Sequence, residues 1–423
     1  MQRWIERDLL RQIRTYLNDS EMIVIHGARQ VGKTSLARLI MEELAASVPE
    51  NSLFWLDLDD PVYLDLCNRG IEEVLRYARG RGFETGGRFY IFVDEIQYLA
   101  EPSAFLKLAY DRYQGKVKLI VTGSSSFAVK SKFKDSLAGR ILDFELFPLN
   151  FEEFLRFKGL SYDLSAVDVP EAVHGELSLH FRDYMRKGGY PAIVLEPVEE
   201  KQEKKLTQII QTYIRTDIRD LGKIRNLQKF NHLLAILASQ TGRLVNISEL
   251  SGTVGLARQT VEEYLFILEN TYVIKMLYPF FQNLRSELTK LPKVFFEDTG
   301  VARLLENRTF AGNITGAAFE NAVFSEIRKR SGVEILHFWR TNKQHEVDFI
   351  IAGDEIVPME VKLSYRKRDL TSLKYFVDKY KIAVAWVCTL EKIHPLPYPW
   401  LRQIYPWEIG KVLQPHPDFD QET

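Results

Sequence analysis

The chain has 423 residues, 46% hydrophobic and 27% charged, with 56 basic against 57 acidic side chains and a formal net charge of −1, a length at which one core gives way to two or three domains. That balance excludes a bulk electrostatic case for nucleic acid or membrane and leaves only local patches. The two cysteines, Cys67 and Cys388, lie in separate apolar runs, which excludes a disulfide scaffold or a cysteine metal site.

Charge appears at once in Met1–Asp8, without a signal-peptide apolar core, and no stretch nears the roughly 20 apolar residues of a membrane span. A cytoplasmic protein with no membrane segment is expected. From Arg7 to Pro148 short apolar runs alternate with amphipathic helices: Met22–Ile25, Leu53–Asp57, Phe89–Asp94, Val117–Thr122 and Ile141–Leu146 read as strands of a parallel α/β sheet. Between the first strand and the helix beginning at Ser35 stands Gly27-Ala28-Arg29-Gln30-Val31-Gly32-Lys33-Thr34. Glycines at those positions let backbone N–H groups curl around phosphates. Lys33 reaches the β- and γ-phosphates in such a loop, Thr34 holds Mg²⁺, and Ser35 completes the cradle. ATP and Mg²⁺ are the expected cofactors.

Asp94 ends the third strand and Glu95 follows it. That arrangement offers one carboxylate to hold Mg²⁺ and a second to polarise the attacking water, with a helix-capping acidic pair as the plain alternative. Thr122-Gly123-Ser124-Ser125-Ser126 ends the next strand, and Ser124 is the first choice for a hydroxyl sensing the γ-phosphate. Arg140 is the candidate arginine donated to a neighbouring subunit, or else an ordinary surface arginine; the first role implies a homo-oligomer.

Beyond Pro148 the pattern turns helical. Residues 149–225 read as a helical lid or linker, with a capped start at Leu149–Leu155, a loop over Ser161–His174, and helices around Gly188-Gly189-Tyr190-Pro191. In residues 226–288 a helix opening at Val245, a turn at Gly255, a helix from Arg258 to Asn270 and a strand from Tyr272 have the layout of a winged helix-turn-helix. Arg258, Gln259 and Thr260 are followed by Glu262 and Glu263, so DNA contact and packing between domains stay open as readings. Arg285, Lys290 and Lys293 are the wing residues within reach of phosphate.

Residues 289–423 carry strands near Pro292–Phe296, Glu334–Trp339, Glu346–Ile351, Ile356–Leu363 and Ile382–Val387. A Gly353-Asp354 turn joins two of them. Period two puts Glu360 and Lys362 on one side of their strand, opposite Val357, Met359 and Val361, with Asp348 converging on that charged side. Asp348 and Glu360 are hard oxygen ligands suited to Mg²⁺, Glu320 on an upstream helix is a further one, and Lys362 can position water or steady charge on a scissile phosphate. Trp339, Arg340 and His345 flank this group, and Tyr365-Arg366-Lys367-Arg368 with Lys374 supplies a local basic surface. That pattern resembles the Asp…Glu-x-Lys core of restriction-endonuclease-like nucleases.

Together, Ile23–Thr34, Val93-Asp94-Glu95-Ile96-Gln97, Thr122–Ser125, Leu137–Arg140 and Lys187–Pro191 resemble the prokaryotic AAA-type ATPases that carry a C-terminal domain of unknown function. The resemblance implies an α/β multidomain chain: a P-loop ATPase core over 1–148, a helical and winged-helix middle, and an α/β nuclease-like C-terminal domain. Two functions remain: an ATPase driving Mg²⁺-dependent DNA binding or cleavage, and a non-nucleolytic ATP switch or signalling ATPase whose C-terminal domains bind protein partners.

Overall fold

A computed structural model describes residues 4–123, 137–164, 169–213, 224, 226–280, 291–331, 334–342 and 345–413. The chain forms two compact units, one of Met1–Phe147, Gln211–Lys223 and Asn270–Tyr272, the other of Pro148–Ile210, Ile224–Glu269 and Val273–Thr423.

In the first unit, β1 (Met22–His26), β2 (Leu53–Asp57), β3 (Phe89–Asp94), β4 (Val117–Gly123) and β5 (Ile141–Glu145) form one sheet in the order β2-β3-β4-β1-β5. Every pairing is parallel. β1 and β3 are buried at every position, as apolar strands covered on both faces must be. The helix Lys33–Ala45 buries Leu36, Ala37, Ile40 and Leu44, a single stripe at helical spacing. On one face Val24, Leu56, Ile91 and Val121 join Ile71, Val74, Phe105 and Leu106 in a common core. All five strands fall within a residue or two of their expected positions.

The second unit begins with the helix Phe151–Phe157, closed by a capping box in which Asn150 and Glu153 bond each other's backbone. The helix Glu171–Lys187 follows, so the expected loop over Ser161–His174 is shorter; Pro170 and Glu171 supply a helix start that polarity alone concealed. Three helices, Leu227–Ser239, Ile247–Val254 and Arg258–Asn270, then lead to a two-stranded antiparallel ribbon, β6 (Ile274–Leu277) with β7 (Lys293–Phe296).

Five strands complete the unit: β8 (Leu336–Arg340), β9 (Glu346–Ala352), β10 (Ile356–Val361), β11 (Ala385–Cys388) and β12 (Leu401–Ile404), ordered β12-β11-β10-β9-β8. β8, β9 and β10 run antiparallel, while β10, β11 and β12 are parallel. Val347, Ile350 and Val387 pack with Leu373, Phe376 and Val377 of the helix Thr371–Tyr380. Phe349, Met359 and Val361 instead share a core with Phe319, Val323 and Phe324 of the helix Gly316–Ser331, and that same core includes Phe151, Phe154 and Phe181. Most of segments 149–225, 226–288 and 289–423 thus shares one compact unit, while Gln211–Lys223 and Asn270–Tyr272 fall in the first.

The Lys187–Pro191 motif makes a close backbone junction. A Cβ on Gly188, where φ is +76°, would lie 2.1 Å from Asp298 Oδ1, and one on Gly189 would lie 2.2 Å from the Leu149 carbonyl oxygen. The Gly189 N–H donates to Asp298 Oδ2 at 2.7 Å, and Asp298 also caps the helix Thr299–Asn307.

Candidate functional sites

In an all-parallel sheet the C-terminal strand ends point their loops to one edge. There β1 delivers the phosphate loop, β3 delivers Asp94, and β4 between them delivers Thr122. Gly27 has φ +155°, and a Cβ there would sit 2.1 Å from the Leu146 carbonyl oxygen; Gly32 has φ +102°. Both positions therefore require glycine. Lys33 is 5% exposed, and its ammonium donates to the carbonyls of Gly27 at 3.0 Å and Ala28 at 2.8 Å. Thr34 and Gln30 are exposed, whereas Ala28 and Val31 are buried.

Asp94 is buried and accepts the Thr122 hydroxyl. The same Thr122 oxygen accepts the Glu95 N–H at 3.2 Å. Glu95 takes a left-handed backbone, φ 57°, and accepts Gln97 Nε2. Such a conformation in a non-glycine residue costs of order 1–3 kcal/mol and here turns the second carboxylate out of the strand.

Three further side chains escape sequence reasoning. Arg7 is buried, donating to Val31 of the loop at 2.7 Å and to Phe147 at 2.8 Å. His26, also buried, shares a hydrogen bond with the Tyr272 hydroxyl, and its Nε2 faces Asp143 at 2.7 Å. Arg38 lies 3.4 Å above the Trp55 ring; burial pulls its guanidinium below the ordinary value, against the opposing fields of Asp94 and Asp57. Contacts spanning so many residues leave no local pattern.

Ser124 lies outside the described residues, as do Ser125, Ser126, Arg285 and Lys290. Arg140 precedes β5, and its carbonyl accepts Met22 N–H at the start of β1, the sheet end opposite the phosphate loop. Its guanidinium pairs with Asp111 at 2.7 Å. Arg140 is thus remote from its own chain's loop.

In the second unit Asp348 on β9 and Glu360 on β10 are buried side by side, and Lys362 follows β10. Lys362 Nζ is 3.1 Å from Asp348 Oδ2 and 2.5 Å from Glu360 Oε1. The Val361 N–H also donates to Asp348, at 2.8 Å. Glu360 Oε2 is buried with no hydrogen-bond partner among the described residues. Burial, reinforced by Asp348, pushes the Glu360 carboxyl well above its usual range. Burial likewise pushes Glu320 up to about 7, against the pull of Lys293. Asp348 and Glu360 raise the Lys362 ammonium despite the opposing effect of its burial.

Lys293 corrects an expectation. Far from reaching phosphate on a wing, its side chain is 2% exposed and lies 3.0 Å from Glu320 Oε1 and 2.7 Å from Glu346 Oε1. Trp339 is likewise buried, 2% exposed, and does not flank a groove. Arg340 lies 3.6 Å from Glu346, and His345 stacks on Tyr375 with centroids 4.6 Å apart.

No group of three or more His, Cys, Asp or Glu among the described residues stands ready for a metal ion. Glu320, Asp348 and Glu360 are therefore not drawn together as a ligand set; Lys293 and Lys362 hold them instead. Asp348 and Glu360 are nevertheless buried hard-oxygen donors on adjacent strands, and one Glu360 oxygen lacks a partner among the described residues.

Residues 19–155 match the AAA domain family, residues 178–311 a domain of unknown function, DUF8612, and residues 315–404 another, DUF4143. Similar proteins include the uncharacterized MJ1544 of Methanocaldococcus jannaschii, 25% identical over 382 residues, 88% of this chain and 82% of that one. Another, from Haemophilus influenzae, is 23% identical over 388 residues, covering 89% of this chain and 92% of its own. Among solved structures, the Aeropyrum pernix ORC2 protein in its ADP form covers 63% of this chain and 85% of its own at 14% identity and TM-score 0.34. The Pyrococcus horikoshii STAND protein PH0952 covers 78% and 49% at 16% identity and TM-score 0.26. The match of residues 19–155 to the AAA domain family supports ATP binding and hydrolysis by the first unit. Among the described residues no helix is long and apolar enough to cross a membrane.

Proposed function

We propose that the chain hydrolyses ATP at Lys33, Thr34, Asp94 and Glu95 and couples the cycle to DNA binding or Mg²⁺-dependent DNA cleavage at Asp348, Glu360 and Lys362. At the first site, Gly27 to Ser35 cradle the phosphates, and Lys33 exchanges its two carbonyl partners for phosphate oxygens. Thr34 and Asp94 would hold Mg²⁺, which when bound would neutralise phosphate charge. Glu95 orients the attacking water and takes its proton, while Thr122 fixes both acids. Ser124 and an Arg140 donated by a second copy remain part of this proposal as sensor and arginine finger.

At the second site Asp348 and Glu360 would hold a divalent cation, joined by Glu320 only if Lys293 released it, and the cation would supply Lewis-acid stabilisation of a phosphodiester. Lys362 then stands beside the reacting phosphate, where an ammonium stabilises developing negative charge. The observation that carries this reading is Lys362 bridging two buried carboxylates on adjacent strands, one of which keeps an oxygen unpartnered. Arg366 and Arg368, which follow the β10 strand in sequence, would offer phosphate contacts.

A second reading, an ATP switch whose C-terminal domains bind protein, draws on a different observation. In the helix Arg258–Asn270, which we propose as the second helix of a winged helix-turn-helix, Arg258 pairs with Glu262 at 3.0 Å and Gln259 bonds Glu263 at 3.4 Å. Those side chains are engaged within their own helix, which disfavours base reading there. The test incubates purified protein with linear, single-stranded and branched DNA and Mg²⁺ or Mn²⁺, with and without ATP. The nuclease reading expects cutting that disappears in Asp348→Ala; no cutting and no DNA retention on any substrate would reject it.

A further inference from the structure

Arg7 is distant from the phosphate loop in sequence and directly against it in the fold. Its backbone is anchored at the start of the helix Asp8–Arg14, where its carbonyl accepts the Leu10 N–H at 3.0 Å and where Leu10 and Ile13 are buried. From that anchor the buried side chain spans two backbone oxygens with its two terminal nitrogens. Nη1 donates to the Val31 carbonyl at 2.7 Å, and Nη2 donates to the Phe147 carbonyl at 2.8 Å. A planar guanidinium holds two acceptors in a fixed relation, which an ammonium on a single nitrogen does less rigidly.

At Val31 this grip has a chemical consequence. The Val31 carbonyl and the Gly32 N–H belong to one trans peptide plane and point in opposite directions. Holding the oxygen therefore fixes the N–H and turns it away from Arg7. Gly32 immediately precedes the helix Lys33–Ala45, so its N–H is among the amide groups that a helix start offers to an anion. Gln30 takes a left-handed backbone, φ 61°, and Gly32 has φ +102°, so Val31 lies between two sharp changes of direction. A glycine admits several orientations of such a peptide, and the guanidinium selects one. The second acceptor ties this limb of the loop to the segment that already backs the other limb. Leu146 N–H donates to the His26 carbonyl at 2.8 Å, and the Leu146 carbonyl oxygen lies 2.1 Å from the position of a Cβ on Gly27. Leu146 and Phe147 thus hold both ends of the loop, directly at Gly27 and through Arg7 at Val31.

We propose that Arg7 is a positioning residue for nucleotide: it sets the Val31–Gly32 peptide so that the Gly32 N–H meets the phosphates, and it clamps the loop to Phe147. This rests on reading Gly27 to Ser35 as the nucleotide site. An amide already oriented in the empty loop need not be ordered when the anion arrives, so Arg7 contributes to affinity. The phosphates bound by that amide are present in substrate and transition state alike, so the effect falls on KM and spares kcat.

The test measures binding of a fluorescent ADP analogue with Mg²⁺, and steady-state ATP turnover, on the full-length chain, with the thermal unfolding midpoint read without nucleotide. Wild type is compared with Arg7→Lys, Arg7→Met and Lys33→Ala. Arg7→Met is expected to weaken nucleotide binding and raise KM for ATP by about tenfold, with kcat within about twofold of wild type. Arg7→Lys keeps a cation but concentrates its donors on one nitrogen, and a loss of about threefold is expected. It carries the test should Arg7→Met fail to fold: a raised KM at constant kcat supports the proposal, and wild-type affinity overturns it. A folded Arg7→Met that binds nucleotide as tightly as wild type also overturns it. So does an equal fall in kcat and kcat/KM, which marks a loosened fold in place of a positioned amide. Unchanged nucleotide affinity in Lys33→Ala, or no binding by wild type, removes the nucleotide-site reading and this proposal with it.

Discussion

Thr122 shows how much one hydroxyl can carry. It donates to Asp94 and accepts from the Glu95 backbone, so a single side chain orients both acids at the end of β3. A hydrogen bond to a buried charge is worth about 1.5–3 kcal/mol. Thr122→Val, isosteric but without the hydroxyl, is expected to slow ATP turnover by roughly tenfold to a hundredfold while nucleotide binding changes little. Steady-state kinetics with a separate nucleotide-binding titration checks this; an unchanged turnover would remove Thr122 from the site. The Thr122–Ser126 motif is legible in sequence, and Ser124, the sensor it offers first, lies outside the described residues. The threonine that opens the motif faces Asp94 only because β4 lies next to β3, which is topology and not local pattern.

The cysteines are also decided at this scale. Burial pushes the Cys67 thiol up to about 12 and holds Cys388 well above its ordinary value. Reactivity follows the thiolate, so a disulfide-exchange reagent at pH 8 should read near zero thiols in the native chain and both after denaturation. A fast native reaction would contradict the burial.

At the scale of elements, the hairpin joining β9 to β10 follows directly from sequence. Apolar runs, Phe349–Ala352 and Ile356–Met359, flank the Gly353-Asp354 turn, and Ile356 pairs with Ala352 in the register a short turn imposes. β12 was not legible: Leu401–Ile404 is four residues long with an exposed Arg402, and the nearby prolines read as loop. Its strand character comes from parallel pairing with β11, a tertiary cause. Lys293 illustrates the same limit, since its charge suggested a wet wing while its backbone pairings bury it.

Gly188 and Gly189 belong here too, because they let the end of one helix press against Asp298 and Leu149. Gly188→Ala places a methyl group on a carboxylate oxygen and a side chain at positive φ. A loss of about 3 kcal/mol in the second unit is expected, read as a lowered unfolding midpoint. Gly353→Ala, at a position with open space around a Cβ, is the control expected to cost under about 1 kcal/mol. Equal stability of Gly188→Ala and wild type would show that the junction is not close-packed.

At the scale of the molecule, two compact units each concentrate polar chemistry at strand ends or a strand pair: Lys33, Thr34, Asp94 and Glu95 in one, Asp348, Glu360 and Lys362 in the other. The first arrangement was readable almost completely, because a phosphate loop is a contiguous string whose backbone conformation dictates its glycines. The second was readable as a spacing on β10, but its electrostatic state was not, since Lys293 and Glu320 arrive from distant segments. The two sites, proposed to be separable in chemistry and coupled in use, are tested most directly by paired variants. ATP turnover and DNA cleavage should be measured on the same preparations of wild type, Glu95→Gln and Asp348→Ala. The expected result is that Glu95→Gln loses ATP turnover together with ATP-dependent cleavage, whereas Asp348→Ala loses cleavage and keeps ATP turnover within about twofold. Cleavage that survives in Asp348→Ala, or is indifferent to Glu95→Gln, would contradict it.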